Sequence, residues 1–489
     1  MKPENSSLDQ ITAEEWATCL KVLQQACDNP DVVSDMDTLK GLTTKLYKSA
    51  RKQRRLLNRQ HLRDNDRALR ESTLRCQSEP QDELTMEAAT PPITQPHTTY
   101  QQSHKFFRCY ICQQKYQQIH FFYHRLCPSC AEYNYTKRQQ RTNLKGRVAL
   151  VTGGRIKIGY EIVLKLLRDG ARVIMTTRFP RDAAHRYAQE ADFETWKHRL
   201  KIDGLDFRNI PRVEDFIHHL LDCEPCLDII INNAAQTIKR PNDFYAHLIA
   251  TETAPDEALP EKIQALLGTY TENSPLPRLS PEKEEASSLL SGEKLRNTQF
   301  ALFSGETDKI RTYFPAGKYD IHGQQMDLRS HNSWMATLEE IDTVELLEVH
   351  LINAVAPFLF NSRLKPLLLK SPHTTRFIVN VSAVEGQFNH TQKTPRHPHT
   401  NMAKAALNMM TRTSAQDYAQ DNIFMNSVDT GWITQETPYH QKTQQRQKGF
   451  VPPLDIIDGA ARIYDPIVQG IEGTPIYGQF LKDYQQTNW

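Results

Sequence analysis

The stretch Arg147-Val-Ala-Leu-Val-Thr-Gly-Gly-Arg-Ile-Lys-Ile-Gly159 limits the possible folds more than any other part of the chain. A short apolar run ending at Thr152 suits a parallel strand covered on both faces. Ile158, Ile162, Leu166 and Leu167 follow at helical spacing, so Tyr160 to Arg168 reads as a helix. Gly153 can supply the tight turn and Gly159 a close helix–strand approach, leaving backbone N–H groups at the helix start free to hold a pyrophosphate. The pattern predicts one βα unit of a nucleotide fold. Glycines also close ordinary αβ loops, so on this stretch alone a structural turn without ligand is the alternative.

Further segments follow in order: Ile229-Ile-Ile-Asn-Asn-Ala-Ala235, Asn353 in His350-Leu-Ile-Asn-Ala-Val-Ala-Pro357, the strand Arg376-Phe-Ile-Val-Asn-Val-Ser382, Lys404 in Thr400-Asn-Met-Ala-Lys-Ala-Ala-Leu407, and Asn426-Ser-Val-Asp-Thr-Gly-Trp-Ile-Thr434. With the glycine turn, this series closely resembles the short-chain dehydrogenase/reductase family, over about Leu144 to Tyr484. The resemblance implies an α/β, Rossmann-like doubly wound parallel sheet and nicotinamide-dependent oxidoreductase chemistry.

At 489 residues the chain exceeds one typical domain, and its net charge of +2 gives no global pull toward nucleic acid or membrane. No apolar run reaches the roughly 18 residues of a membrane span, and Met1-Lys-Pro-Glu-Asn-Ser-Ser lacks a signal-peptide core, so a cytoplasmic protein is expected. Four units are expected: a helical region at 1–76 with a basic second half, a Pro-rich linker at 77–104, a cysteine module at 105–140, and the dehydrogenase-like domain at 144–489. In the first, Thr12-Ala-Glu-Glu15 fits a capping box and a second helix is expected near Asp37. Lys45 to Arg75 carries eleven Lys/Arg against three Asp/Glu, a candidate nucleic-acid contact surface or a solvated helix.

Cys109-Tyr-Ile-Cys112, fourteen residues, then Cys127-Pro-Ser-Cys130 is the spacing of two zinc knuckles, and a closed Cys₄ set points to a structural Zn²⁺. His120 and His124 lie between the knuckles and are expected to pack or face solvent. The lone pair Cys223 and Cys226 reads as a helix-to-strand connection.

By the resemblance, Gly153, Arg155, Lys157, Ile158, Gly159, Arg178, Asp206, Asn233, Ala234, Lys404 and Thr434 line the cofactor site, with Asp206 toward adenine and Thr434 toward the nicotinamide carboxamide. Thr176-Thr-Arg178 has no carboxylate for ribose hydroxyls, and Arg178 and Arg155 can pair with a 2′-phosphate, which implies NADP(H) over NAD(H). Lys157 stands where the middle glycine of the turn belongs, as a basic residue does in the pteridine-reductase branch.

The family's proton donor is a Tyr whose pKa is lowered by a Lys four residues on, and its Asn holds a relay water. Here Lys404 and Asn353 are present, but Thr400 replaces the Tyr and Ala383 the substrate-orienting Ser. An aliphatic hydroxyl is a much weaker acid than a phenol of pKa about 10. His399, next to Thr400, is the candidate substitute donor, with a polar, exposed loop carrying His390, His397 and His399 as the favoured alternative. A large insertion at about 240–341, with Thr271 to Glu306 looped out, lies by topology beside the cleft and offers Tyr313, Tyr319 and Asp327 as further acids.

Three functions fit: an NADP(H)-dependent oxidoreductase with an atypical proton donor; a catalytically inactive dinucleotide-binding scaffold; or a nucleic-acid binder acting through residues 45–75 and the zinc module. The resemblance adds a homo-oligomer, and the substrate stays open.

Overall fold

The computed structural model describes residues 11–29, 31, 36–78, 100–255, 259–270, 312–389 and 393–489. Most of the expected linker, the stretch Thr271 to Glu306 and His390 lie outside the described residues. The chain divides into two compact units, Met1–Ala68 and Leu69–Trp489.

In the first unit, α1 (Ala13–Asp28) opens on the expected capping box: Thr12 N–H donates to the Glu15 carboxylate at 2.8 Å and Glu15 N–H to Thr12 Oγ1 at 3.2 Å. The long helix α2 (Met36–Glu71) begins there and runs past the unit boundary; its Leu42, Leu46, Leu56 and Leu57 are exposed.

In the second unit a short helical turn, Leu74–Gln77, precedes a small antiparallel hairpin, β1 (Gln101–Arg108) and β2 (Lys115–Ile119), followed by α3 (Pro128–Gln139). Then comes the sheet: β3 (Val148–Thr152), β4 (Arg172–Thr177), β5 (Leu200–Gly204), β6 (Ile229–Asn232), β7 (Arg376–Ser382), β8 (Ile423–Asp429), β9 (Phe480–Lys482) and β10 (Gln485–Thr487). Their spatial order is β10-β9-β8-β7-β6-β3-β4-β5, all pairs parallel except β9–β10. The order reverses between β3 and β6, the switch point at which open α/β sheets leave a crevice.

Strand alternation explains the two faces. Ala149, Val151, Val173, Met175, Ile229 and Ile231 meet α4 (Lys157–Arg168) and α9 (Ile456–Ile471), counting with α5 (Pro180–Tyr187), α6 (Ile210–Cys223), α7 (Thr343–His350) and α8 (Pro398–Gln420) as the other principal helices. Val148, Leu150, Ile174, Ile230 and Ile378 face α6 and Ala356–Arg363. Both faces are thus apolar, as continuous Val/Ile/Leu runs require. Thr343–Arg363 is the one stretch among the described residues long and apolar enough to cross a membrane, and half of it is buried within this fold.

Parallel register sets Asn232, Asn380 and Ser427 side by side on three strands. Asn232 donates to Asn361 and Asn380 at 2.8 Å each, Asn380 to Thr411 at 2.9 Å, and Ser427 to Thr411 at 2.8 Å. A one-residue slip would strand these buried groups, so the network fixes the register.

The insertion adds to the outer edge of the sheet. Ile202 N–H donates to Leu266 O and Gly268 N–H to Ile202 O, both at 2.8 Å, so 266–268 covers the edge of β5. The cysteine module packs into the same compact unit. Tyr123 Oη donates to Asp458 at 2.5 Å, Arg138 pairs with Asp455 at 2.5 Å, and Arg462 donates to Asn134 at 2.8 Å. Ile158 of the glycine turn, Ile433 and Leu454 join Cys109, Tyr116, Tyr123 and Leu126 in one apolar cluster.

Candidate functional site

The glycine turn joins β3 to α4 at the crevice. Gly153 has φ +71° and a Cβ there would lie 2.8 Å from Ala234 Cα; at Gly159 a Cβ would lie 2.1 Å from Gly153 O. Gly154 is also closely packed, but against side chains, where a Cβ would meet Met175 Cγ at 2.3 Å, and it had no separate signal in the motif. Asn233 locks the turn by donating through Nδ2 to Thr152 O at 3.1 Å and Gly153 O at 3.0 Å, while Thr152 Oγ1 accepts from the backbone of Asn233 and Ala234 at 3.0 Å each. This cradle suits a phosphate group held by backbone N–H.

Lys157 keeps the left-handed backbone, φ +54°, of the glycine it replaces. Its ammonium lies 3.7 Å from Glu436 Oε1, which also accepts from Thr434 Oγ1 at 2.7 Å. Burial pushes the Glu436 carboxyl up, but Lys157 and its other polar neighbours outweigh it and hold the group down at about 2.

The two arginines differ. Arg155 is buried and paired with Asp182 at 2.7 Å, whereas Arg178 is exposed at the end of β4 and donates to Tyr245 Oη at 2.9 Å. Burial acts to raise Asp206, yet its ion pair with Arg208 at 2.5 Å keeps it below the usual carboxylate range.

Across the crevice, Lys404 Nζ donates to Val381 O at 2.8 Å, and burial pushes it down to about 8. Asn353 sits in a π turn, Leu351–Val355, and bonds the backbone of Gln236 twice, accepting at 2.8 Å and donating at 3.2 Å. Thr400 Oγ1 donates to His397 O at 2.9 Å.

The structure does not bring His399 to Thr400. Its buried ring turns to Glu345, Nε2 to Oε1 at 3.2 Å. His397 stands there instead, with Nδ1 3.3 Å from Thr400 Oγ1 and 3.0 Å from Asn401 Oδ1. Its backbone is left-handed, φ +42°, and its ring stacks on Trp334 of the insertion at 3.9 Å. Burial lowers its pKa. Strained non-glycine backbone of this kind collects at functional sites. Sequence spacing carried no signal for His397: it stands outside α8 as its left-handed N-cap, so helical phase from Thr400 or Lys404 does not place it.

Of the insertion's acids, Asp327 pairs with Arg240 and Arg329, and Tyr313 and Tyr319 are exposed. Ser382 turns inward to Asn408 at 2.6 Å. Asp429, at the end of β8 in register with Ser382, is pushed up to about 7 by burial, with Glu385 and Asp483 adding to the shift. An acid closing an otherwise neutral strand was its only mark in sequence.

The sulfurs of Cys109, Cys112, Cys127 and Cys130 lie within 4.8 Å of one another, as a tetrahedral metal with metal–sulfur bonds of about 2.3 Å requires. The neighbouring histidines are committed elsewhere: His120 Nδ1 accepts from Phe122 N–H at 3.0 Å, and His124 Nε2 lies 3.1 Å from Val451 O.

Strand order, glycine turn and crevice together define a Rossmann-type nucleotide fold. A family model described as short chain dehydrogenase matches residues 147–250, and one described as Enoyl-(Acyl carrier protein) reductase matches 326–451. Uncharacterized protein R665 of Acanthamoeba polyphaga mimivirus is 32% identical over 375 residues, 73% of this chain and 71% of that one. Dehydrogenase/reductase SDR family member 13 of Homo sapiens is 36% identical over 92 residues, 19% of this chain and 24% of that protein. Among solved structures, the Pseudomonas aeruginosa RhlG/NADP active-site complex aligns at TM-score 0.42 and 17% identity, covering 69% of this chain and 95% of that one. The chain belongs to the short-chain dehydrogenase/reductase family.

Proposed function

We propose that the chain is an NADP(H)-dependent oxidoreductase whose proton-transfer group is not the family's tyrosine. The observation that carries this reading is the retained cradle: Gly153, Gly159 and Asn233 shape the turn at the phosphate end while Lys404 stands across the crevice with its ammonium partly desolvated. When bound, the dinucleotide supplies hydride exchange with a carbonyl or alcohol carbon. NADP(H) is preferred because Thr176-Thr-Arg178 at the end of β4 carries no carboxylate and Arg178 is exposed; Arg155, committed to Asp182, contributes by orienting the turn. Asp206 and Thr434 border the adenine and carboxamide ends, and Asn353 ties the π turn to the strand-end loop through Gln236.

For proton transfer, His397 beside Thr400 replaces His399 as the candidate. A neutral imidazole accepts a hydroxyl proton, so its lowered pKa suits alcohol oxidation at neutral pH. The cysteine cluster holds a structural Zn²⁺, with no open position for a reactive water. A cytoplasmic location goes with this reading.

A second reading, a dinucleotide-binding scaffold without turnover, is favoured by Thr400, Ala383 and the Trp334 ring over His397. The two separate on a panel of secondary alcohols with NADP⁺. Reduced cofactor formed by the native chain, and lost in His397→Ala, is the result expected of the enzyme; binding without turnover across the panel selects the scaffold. Binding to nucleic acid through α2 would fall steeply with salt, since phosphate contacts release counterions.

A further inference from the structure

The pyrophosphate of a Rossmann ligand sits at the start of the helix that follows the glycine turn. Here that place is bordered by a side chain of the protein itself. Glu436 reaches back from the segment after β8 to Lys157 at the first position of α4, 3.7 Å between charges, with Thr434 Oγ1 donating to the same carboxylate oxygen at 2.7 Å. Asn332 of the insertion donates to Glu436 O at 3.0 Å, tying the segment from the other side. Lys157, Thr434, Glu436 and Asn332 all line one cleft, together with Arg240 and Lys442. The side chain is only partly exposed, 22%, and against the upward push of burial Lys157 and the Thr434 hydroxyl hold its carboxyl below the usual carboxylate range.

Resting on the dinucleotide reading above, we propose that Glu436 is a specificity-determining residue of that site, a resident carboxylate standing in for the cofactor's phosphate. Lys157 is a donor suited to a phosphate and Thr434 one suited to the carboxamide, and both are occupied by an anion of the chain. A dinucleotide must displace Glu436 from them and draw the 434–438 segment outward, because two anions held within a few ångströms repel strongly in a partly dry cleft. The ligands admitted are those whose phosphate contacts outweigh this exchange. The lysine in place of glycine then has a use: it anchors the carboxylate when the site is empty and turns to phosphate when it is filled.

The test is NADPH titration by nicotinamide fluorescence on the full native chain, Glu436→Gln and Glu436→Ala, with exposed Glu339→Gln as control. Glu436→Gln keeps size and an acceptor while removing the charge, and Glu436→Ala removes the group. Both variants are expected to bind NADPH roughly tenfold or more tightly than the native chain, a step of about 1.4 kcal/mol, while the control is unchanged. Native binding that is equalled or weakened in both Glu436 variants overturns the inference and leaves the dinucleotide site standing. No NADPH binding by any of the folded proteins overturns both. Circular dichroism establishes folding, and the two variants differ enough in size that one replaces the other if either misfolds.

Discussion

Replacing Gly159 by Ala tests how closely α4 approaches β3. The added Cβ would fall 2.1 Å from Gly153 O, 2.5 Å from Asn233 Nδ2 and 3.0 Å from Gly153 C, and two of these are backbone atoms. Overpacking of this kind costs about 1–3 kcal/mol. The displaced Asn233 amide also loses its bonds to Gly153 O and Thr152 O, at roughly 1 kcal/mol each. The expected loss is therefore about 3–5 kcal/mol, a large share of the roughly 5–15 kcal/mol of a typical domain. Urea unfolding should show a lower midpoint at unchanged slope. Gly41→Ala is the control: nothing lies within 4 Å of its Cβ, and removing a glycine from the interior of α2 should gain about 1 kcal/mol of helix stability. If Gly159→Ala costs under about 1 kcal/mol and leaves NADPH affinity intact, the close-packed turn described above is wrong.

Asn380→Ala should cost about 2–4 kcal/mol in the same assay, because it takes one acceptor from Asn232 and Asn361 and one donor from Thr411 inside the sheet, breaking the network though each keeps another bond. Chelation of the cysteine cluster should lower both the melting temperature and NADPH affinity, read by calorimetry and fluorescence, since Ile158 and Ile433 share its apolar cluster. Asp429 predicts a pH effect of definite sign. Its folded value near 7 lies above the unfolded value near 4, so the folded state binds the extra proton and stability falls as pH rises from about 4 to 7. Asp429→Asn should flatten that fall and be the more stable protein at pH 8, by urea midpoints across the range. Removing Arg138 leaves Asp455 and Asp458 without their shared cation, and Arg138→Ala should cost about 3–5 kcal/mol.

What was legible in the sequence was local. The Val148–Thr152 run, the glycines and the α4 stripe are encoded within a dozen residues, and the cysteine pairs carry their chemistry in their spacing. The capping box at Thr12 and the start of α2 near Asp37 are local signals of the same kind. Contacts between distant segments were not legible. Glu436 meeting Lys157, Trp334 stacking on His397, and Tyr123 bonding Asp458 join pieces whose own patterns are silent about each other. His397 belongs with them. It caps α8 from outside the helix, so helical phase does not place it, and its stacking partner comes from the insertion; adjacency to Thr400 in the chain pointed instead to His399, whose ring turns to Glu345. Lys157 carried a backbone surprise of its own, since a β-carbon at φ +54° is tolerated only where the surrounding turn dictates it.

The most direct test of the central claim is titration of the native chain with NADPH and with NADH, followed by NADPH on Lys404→Ala. Saturable fluorescence enhancement with NADPH, weaker with NADH, and a clear loss of affinity in Lys404→Ala is the result predicted for a retained NADP(H) site across the crevice. No response to either nucleotide at millimolar concentration, or equal binding by native chain and variant, would contradict it.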